Sequence, residues 1–138
     1  MSLAIVFKKI RTKGGRITKI KRSIIQVLAQ SGCLVSEADI VSKLKKDKIR
    51  PDRSTLYREL LFLTKNHIVS KNIISGVSYF EIPKTHHHHL ICLKCNNIEK
   101  VNTRNHLTVL EKKIAKANRF EIISHSLEFY GYCRNCQA

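Results

Sequence analysis

The chain has 138 residues, with 26 Lys and Arg against 10 acids, a formal charge of +16 and five cysteines. That length allows one domain or two small ones, and a half of roughly 60 residues has a thin core that metal or dimerisation would offset. The basic excess points to a polyanion. With no long apolar run and no Trp-bearing amphipathic anchor, nucleic acid is expected over a membrane surface, and no targeting segment is read, so the expected compartment is the cytoplasm.

Residues 3 to 12 predict a short helix that Gly14-Gly15 stop. Thr18 is placed to cap a second helix over about 19 to 30, with Ile20, Ile24, Val27 and Leu28 on one face. Ser36 begins a third, with Asp39 standing where a capping box carries its acid, and with Ile40, Val41 and Leu44 inward. A basic loop over 45 to 51 ends in Pro51, which prevents helix there. A fourth helix starts near Asp52 or Arg53. Leu56, Leu60 and Leu63 form its apolar stripe, while Arg53, Ser54, Tyr57 and Arg58 lie off it at the N-terminal end. Residues 68 to 74 and 77 to 82 are rich in β formers, and Ser75-Gly76 between them predicts a hairpin. Three core helices followed by a hairpin make a winged helix-turn-helix, whose third core helix presents its N-terminal residues to the DNA major groove.

Past Pro83 the pattern changes, which divides the chain into a winged-helix domain at 1–83 and a second domain at 84–138. Short strands are predicted at His88 to Cys92 and Ile98 to Val101. A helix is predicted over 105 to 118, bearing Leu107, Leu110 and Ile114, and a long final strand from Phe120 to Tyr130. A long final strand in so small a domain suggests sheet pairing across a dimer. The expected class is α+β: an N-terminal winged helix-turn-helix, then a small α/β dimerisation domain.

Four histidines, His86 to His89, run into Leu90-Ile91-Cys92-Leu93-Lys94-Cys95, and Cys133-Arg134-Asn135-Cys136 closes the chain. Set mid-chain, the His run reads as native and not as a purification tag. Two Cys-x-x-Cys knuckles supply Cys92, Cys95, Cys133 and Cys136, the ligand count of a closed structural zinc site. Two residues between sulfurs let a tight turn aim both at one ion. Disulfides belong to small secreted chains, and a thioredoxin-like pair needs a strand–helix context. Cys33, the fifth cysteine, reads as a small buried apolar residue. In an extended strand, residues two apart face the same way, so His87 and His89 share one face and His86 and His88 the other.

These pieces resemble the ferric uptake regulator superfamily of metal-dependent bacterial repressors, which includes iron, zinc, manganese and peroxide sensors. The matching stretches are Arg16-Ile17-Thr18, Val35 to Ile40, Ser54 to Leu60, Phe80-Glu81-Ile82, His86 to Cys95 and His125 to Cys133, nearly the whole chain. The resemblance implies a homodimer with metal-gated operator binding. It implies a regulatory site at Glu81, His87 and His89, although Leu34 and Lys100 stand where further ligands are expected, with Glu99 one place off. It implies a third site at His86, His88 and His125, whose acid aligns with Thr108; Glu111, one turn on, is the substitute. DNA contacts are expected from Arg16, Arg53, Ser54, Thr55, Tyr57 and Arg58.

The expected function is a metal-responsive DNA-binding transcriptional repressor, a homodimer with structural Zn2+ and a second divalent metal, Zn2+, Fe2+ or Mn2+. With Leu34, Lys100 and Thr108 in place of ligands, a constitutive DNA binder with structural zinc only is the alternative. A zinc enzyme acting on nucleic acid is the remote one: neither the His-x-Glu/Pro-Cys-x-x-Cys deaminase signature nor His-Glu-x-x-His is present, so no enzyme and no small-molecule substrate are expected.

Overall fold

Each helix in the first half of the chain begins at a short polar side chain that accepts a backbone N–H from its own first turn. In the computed structural model, which describes residues 2–83, 87–102 and 107–137, these helices are α1 (Leu3–Thr12), α2 (Lys19–Ser31), α3 (Glu37–Lys46) and α4 (Arg53–Lys65). Ser2 caps α1. Thr18 Oγ1 accepts from Lys21 N at 3.0 Å, Ser36 Oγ from Asp39 N at 3.1 Å and Asp52 Oδ1 from Thr55 N at 2.7 Å. Each cap satisfies a donor that the helix itself leaves over. Glu37 and Asp39 in the first turn of α3, and three lysines in its last, follow the helix dipole.

The chain divides into two compact units, Met1–Lys84 and Thr85–Ala138. The first unit holds the larger core. Ile10 of α1, Ile24, Ile25 and Leu28 of α2, Ile40 and Leu44 of α3 and Leu63 of α4 are fully buried there. Each such side chain contributes about 1.5–3 kcal/mol by leaving water. A three-stranded antiparallel sheet flanks the helices in the order β1 (Val35–Ser36), β3 (Val77–Glu81), β2 (Ser70–Ile74). The hairpin turns at Ser75 and Gly76, both left-handed (φ 51° and 77°), the conformation that matches strand twist in a two-residue turn. The two-residue strand β1 is not visible in the sequence pattern. It exists because Val35 pairs with Phe80 and Ser36 with Tyr79.

The second unit has β4 (His88–Cys92), β5 (Ile98–Val101), α5 (Leu107–Asn118) and β6 (Glu128–Gly131). Its sheet runs β5-β4-β6, with β5 antiparallel and β6 parallel to β4. Here one expectation is corrected. The final strand spans only Glu128–Gly131, not Phe120 to Tyr130. A strand needs a partner, and β4 is five residues long; its ladder with β6 runs from His89↔Glu128 to Cys92↔Gly131 and stops. Phe120 and Ile123, upstream of that ladder, stand 66% and 60% exposed. Of the helix expected from 105, residues 105 and 106 lie outside the described residues.

This unit buries little. Ile91 and Cys92 are its buried apolar side chains among the described residues, α5 contributes none, and Leu90, Val109, Leu110, Ile114 and Phe129 are exposed. No helix among the described residues is long and apolar enough to cross a membrane.

Candidate metal centres and nucleic-acid interface

The two knuckles meet because β6 runs beside β4. Gly131 pairs with Cys92, and the Gly131 carbonyl accepts Leu93 N–H at 2.8 Å, which delivers Cys133 to the turn that follows β4. That turn closes with Asn96 N–H on the Cys92 carbonyl, and the second with Cys136 N–H on the Cys133 carbonyl, each at 2.9 Å. The ligand atoms of Cys92, Cys95, Cys133 and Cys136 lie within 4.8 Å of one another, and Cys95 Sγ is 3.7 Å from Cys133 Sγ. A tetrahedron with Zn–S bonds of about 2.3 Å has S···S edges of roughly 3.8 Å. The Cys133 N–H donates to Cys92 Sγ at 3.3 Å, and with the backbone N–H of Cys95 it draws the Cys92 thiol down to about 6. The hydrogen bond with Cys133 and burial push Cys136 up to about 12. The group therefore starts with a preformed thiolate and a reluctant thiol, whose proton a divalent cation would displace.

The histidines alternate as a strand requires. His87 and His89 stack edge to face, ring centroids 4.9 Å apart, with ligand nitrogens within 4.8 Å. His88 turns the other way, its ring centroid 5.5 Å from that of His125, and His125 Nδ1 contacts Glu111 Oε1. His88 and His89 are both buried. His86 lies outside the described residues. Glu111 thus reaches His125, one turn beyond Thr108, where an acid was expected. Among the described residues, His88, His125 and Glu111 do not form a set of donors as close as the cysteines. In the β4–β5 ladder Lys100 pairs with His89, and Glu99 pairs with Leu90 and accepts from Asn97 Nδ2 at 3.1 Å. Glu99 is therefore on the face away from His87 and His89.

In the first unit Glu81 ends β3 and is 8% exposed. Cys33 sits between the α2 cap, Gly32 (φ 66°), and β1. It is half-buried, not the buried apolar residue expected, and its Sγ lies within 4.8 Å of a Glu81 carboxylate oxygen. The pairing of Val35 with Phe80 causes this, because it runs the chain before β1 beside the end of β3. The signal in the sequence was adjacency: Cys33 neighbours Leu34, the position where a ligand was expected.

Arg53, Ser54, Tyr57 and Arg58 are exposed at the start of α4, Tyr57 at 61%, and Thr55 is half-buried. Ser54 Oγ donates to Asp52 Oδ1 at 3.0 Å, and Arg58 Nη2 donates to Thr55 Oγ1 at 3.4 Å. Hydrogen bonds from Thr55 and Ser54 hold the Asp52 carboxyl below its ordinary value. Arg16 is exposed in the turn before α2, and its carbonyl accepts Lys21 Nζ at 2.9 Å.

Comparison with known proteins follows the same lines. The model of the Ferric uptake regulator family matches residues 12–130. The chain is similar to the ferric uptake regulation protein of Yersinia pestis, 32% identical over 135 residues, covering 94% of this chain and 90% of that protein. The solved ferric uptake regulator of Helicobacter pylori, described as having three functional metal binding sites, superposes with a TM-score of 0.75 at 28% identity, over 100% of this chain and 95% of that one. The Vibrio cholerae regulator superposes with a TM-score of 0.70 at 28% identity, over 91% and 98%. Winged helix, cysteine quartet and histidine strand stand in one chain whose relatives are named as regulators and not as enzymes, and this chain belongs to the ferric uptake regulator family.

Proposed function

We propose that the protein is a homodimeric, metal-responsive transcriptional repressor that binds double-stranded operator DNA in the cytoplasm. The observation that carries this reading is the two-faced histidine strand. One face offers His87 and His89, the other offers His88 towards His125 and Glu111, and the cysteine quartet stands apart from both. Three donor groups match in number the sites described for the Helicobacter pylori relative.

In this reading Cys92, Cys95, Cys133 and Cys136 hold structural zinc, which ties the C-terminus to the middle of the chain. Glu81 of the winged-helix unit and His87 and His89 of the second unit share an exchangeable divalent ion, Zn2+, Fe2+ or Mn2+. The ion supplies a cross-link between a carboxylate and two neutral imidazoles. It has only to favour the DNA-competent arrangement over the open one. His86, His88, His125 and Glu111 form the third group. Arg53, Ser54, Thr55, Tyr57 and Arg58 read the major groove from α4, and Arg16 holds a phosphate or the minor groove. The exposed apolar residues of α5 and β6 support dimerisation, since a unit with so few buried side chains gains its missing core from a second copy.

Lys100, facing His89 in the ladder, favours the competing reading of a constitutive binder, because an ammonium stands where an acid was expected. The deciding experiment selects duplexes from a random pool. It then measures their affinity at fixed salt with and without exchangeable metal, for wild type, His87→Ala and His88→Ala. A metal response lost in His87→Ala and kept in His88→Ala is expected. Equal binding by metal-stripped wild type overturns the sensor reading.

A further inference from the structure

We infer that Cys33 is a thiolate ligand of the exchangeable ion, replacing the donor that Leu34 does not provide. The inference rests on the reading that Glu81, His87 and His89 share that ion. Its own ground is the first unit, where β1–β3 pairing sets Cys33 Sγ within 4.8 Å of a Glu81 carboxylate oxygen. A thiol and a carboxylate attract each other little, yet both become strong donors to one divalent cation once deprotonated. Glu81 is buried and Cys33 half-buried. The second unit offers its own pair in His87 and His89, with nitrogens within 4.8 Å of each other.

Together these give one sulfur, one oxygen and two nitrogens. That set completes a four-coordinate site of borderline softness, suited to zinc and to its spectroscopic substitute cobalt(II). Manganese, which prefers oxygen donors, fits it poorly. The lost ligand has moved by one residue, and the thiolate narrows the metals that the sensor answers.

The test uses full-length protein with structural zinc retained and exchangeable metal removed, titrated with cobalt(II). Wild type should take up one cobalt per chain with a thiolate-to-cobalt charge-transfer absorption, beside the ion that the third group takes without one. Cys33→Ser should lose that absorption and weaken cobalt binding by at least roughly the 10–100-fold that loss of even an outer-shell partner costs. His87→Ala should lose that cobalt and its charge-transfer absorption, keeping only the ion of the third group. Alkylation of Cys33 in the native protein, read by mass spectrometry, should be slowed by zinc and not by manganese. Cobalt bound without charge transfer, and equally well by Cys33→Ser, overturns the inference while leaving the sensor reading intact. If His87→Ala binds cobalt as wild type does, or wild type takes up no added cobalt, both fall together.

Discussion

Lys21 Nζ stands 3.3 Å from Glu59 Oε2 and joins α2 to α4. The same ammonium donates to the Arg16 carbonyl at 2.9 Å and lies 4.2 Å from the centroid of the Phe62 ring. One buried cation thus holds the turn carrying Arg16 against the helix that carries Arg53 and Tyr57. Glu59→Ala should strand it and destabilise the first unit by roughly 3–5 kcal/mol, towards the lower end because the Glu59 side chain keeps 16% exposure. Lys21→Met with Glu59→Leu should recover most of that in urea unfolding, since no lone charge remains. The double variant should still bind DNA more weakly, because the Arg16 carbonyl then loses its hydrogen bond from Lys21.

Structural zinc should be retained at one per chain, and Cys92→Ser or Cys136→Ser should lose it and the dimer with it. Acid should release it as well. A thiol lowered to about 6 by the Cys133 and Cys95 amides stays thiolate at neutral pH and takes a proton as pH falls through that value. Its contribution is present above the unfolded thiol value and lost on that descent. Zinc retention, followed with a chromophoric chelator, should hold at neutral pH and fall only at pH values well under that of the metal-free thiol, because the bound ion competes with protons at all four sulfurs. A stable zinc-free dimer with four reduced thiols contradicts the assignment.

Arg53→Ala and Tyr57→Ala should relax sequence preference, with a base-reading Arg costing about 1–3 kcal/mol. Arg16→Ala should weaken all duplexes alike and lower the salt slope by roughly one charge. Electrophoretic shifts over a salt series, on selected and scrambled duplexes, separate the two. Unchanged footprints from Arg53→Ala and Tyr57→Ala would place the reading helix elsewhere.

What the sequence revealed was local chemistry. Thr18 and Ser36 could be read as caps because each acts on a backbone group three residues away. The alternation of His87, His88 and His89 was legible because a strand has a fixed period. What needed a distant partner was not. Strand β1 exists only through Phe80 and Tyr79. Residues 120–127 have the composition of a strand, but the ladder beside β4 ends at Glu128. Cys33 looked like packing because its neighbour Glu81 is forty-eight positions away and reaches it only through the β1–β3 register.

Glu111 stands beside His125. The family's acid aligns with Thr108, Glu111 one turn on is the substitute read from the sequence, and the structure brings Glu111 Oε1 to His125 Nδ1, with the His88 ring near that of His125. In a neutral imidazole, a carboxylate at Nδ1 fixes the proton there and leaves Nε2, here buried, as the ligating nitrogen. In the proposed third group Glu111 would then orient His125 and not ligate the ion directly. Removing such an outer partner costs about 10–100-fold in metal affinity, and removing a ligand costs more. Glu111→Gln, whose amide oxygen still accepts the Nδ1 proton, should retain the second exchangeable ion with affinity reduced within that range. His125→Ala should lose the ion entirely. Neither should abolish the metal response of operator binding, which is proposed to rest on His87 and His89. Equilibrium dialysis of zinc-loaded, otherwise metal-stripped protein gives the stoichiometry. If Glu111→Gln fails as completely as His125→Ala, the carboxylate binds the metal itself.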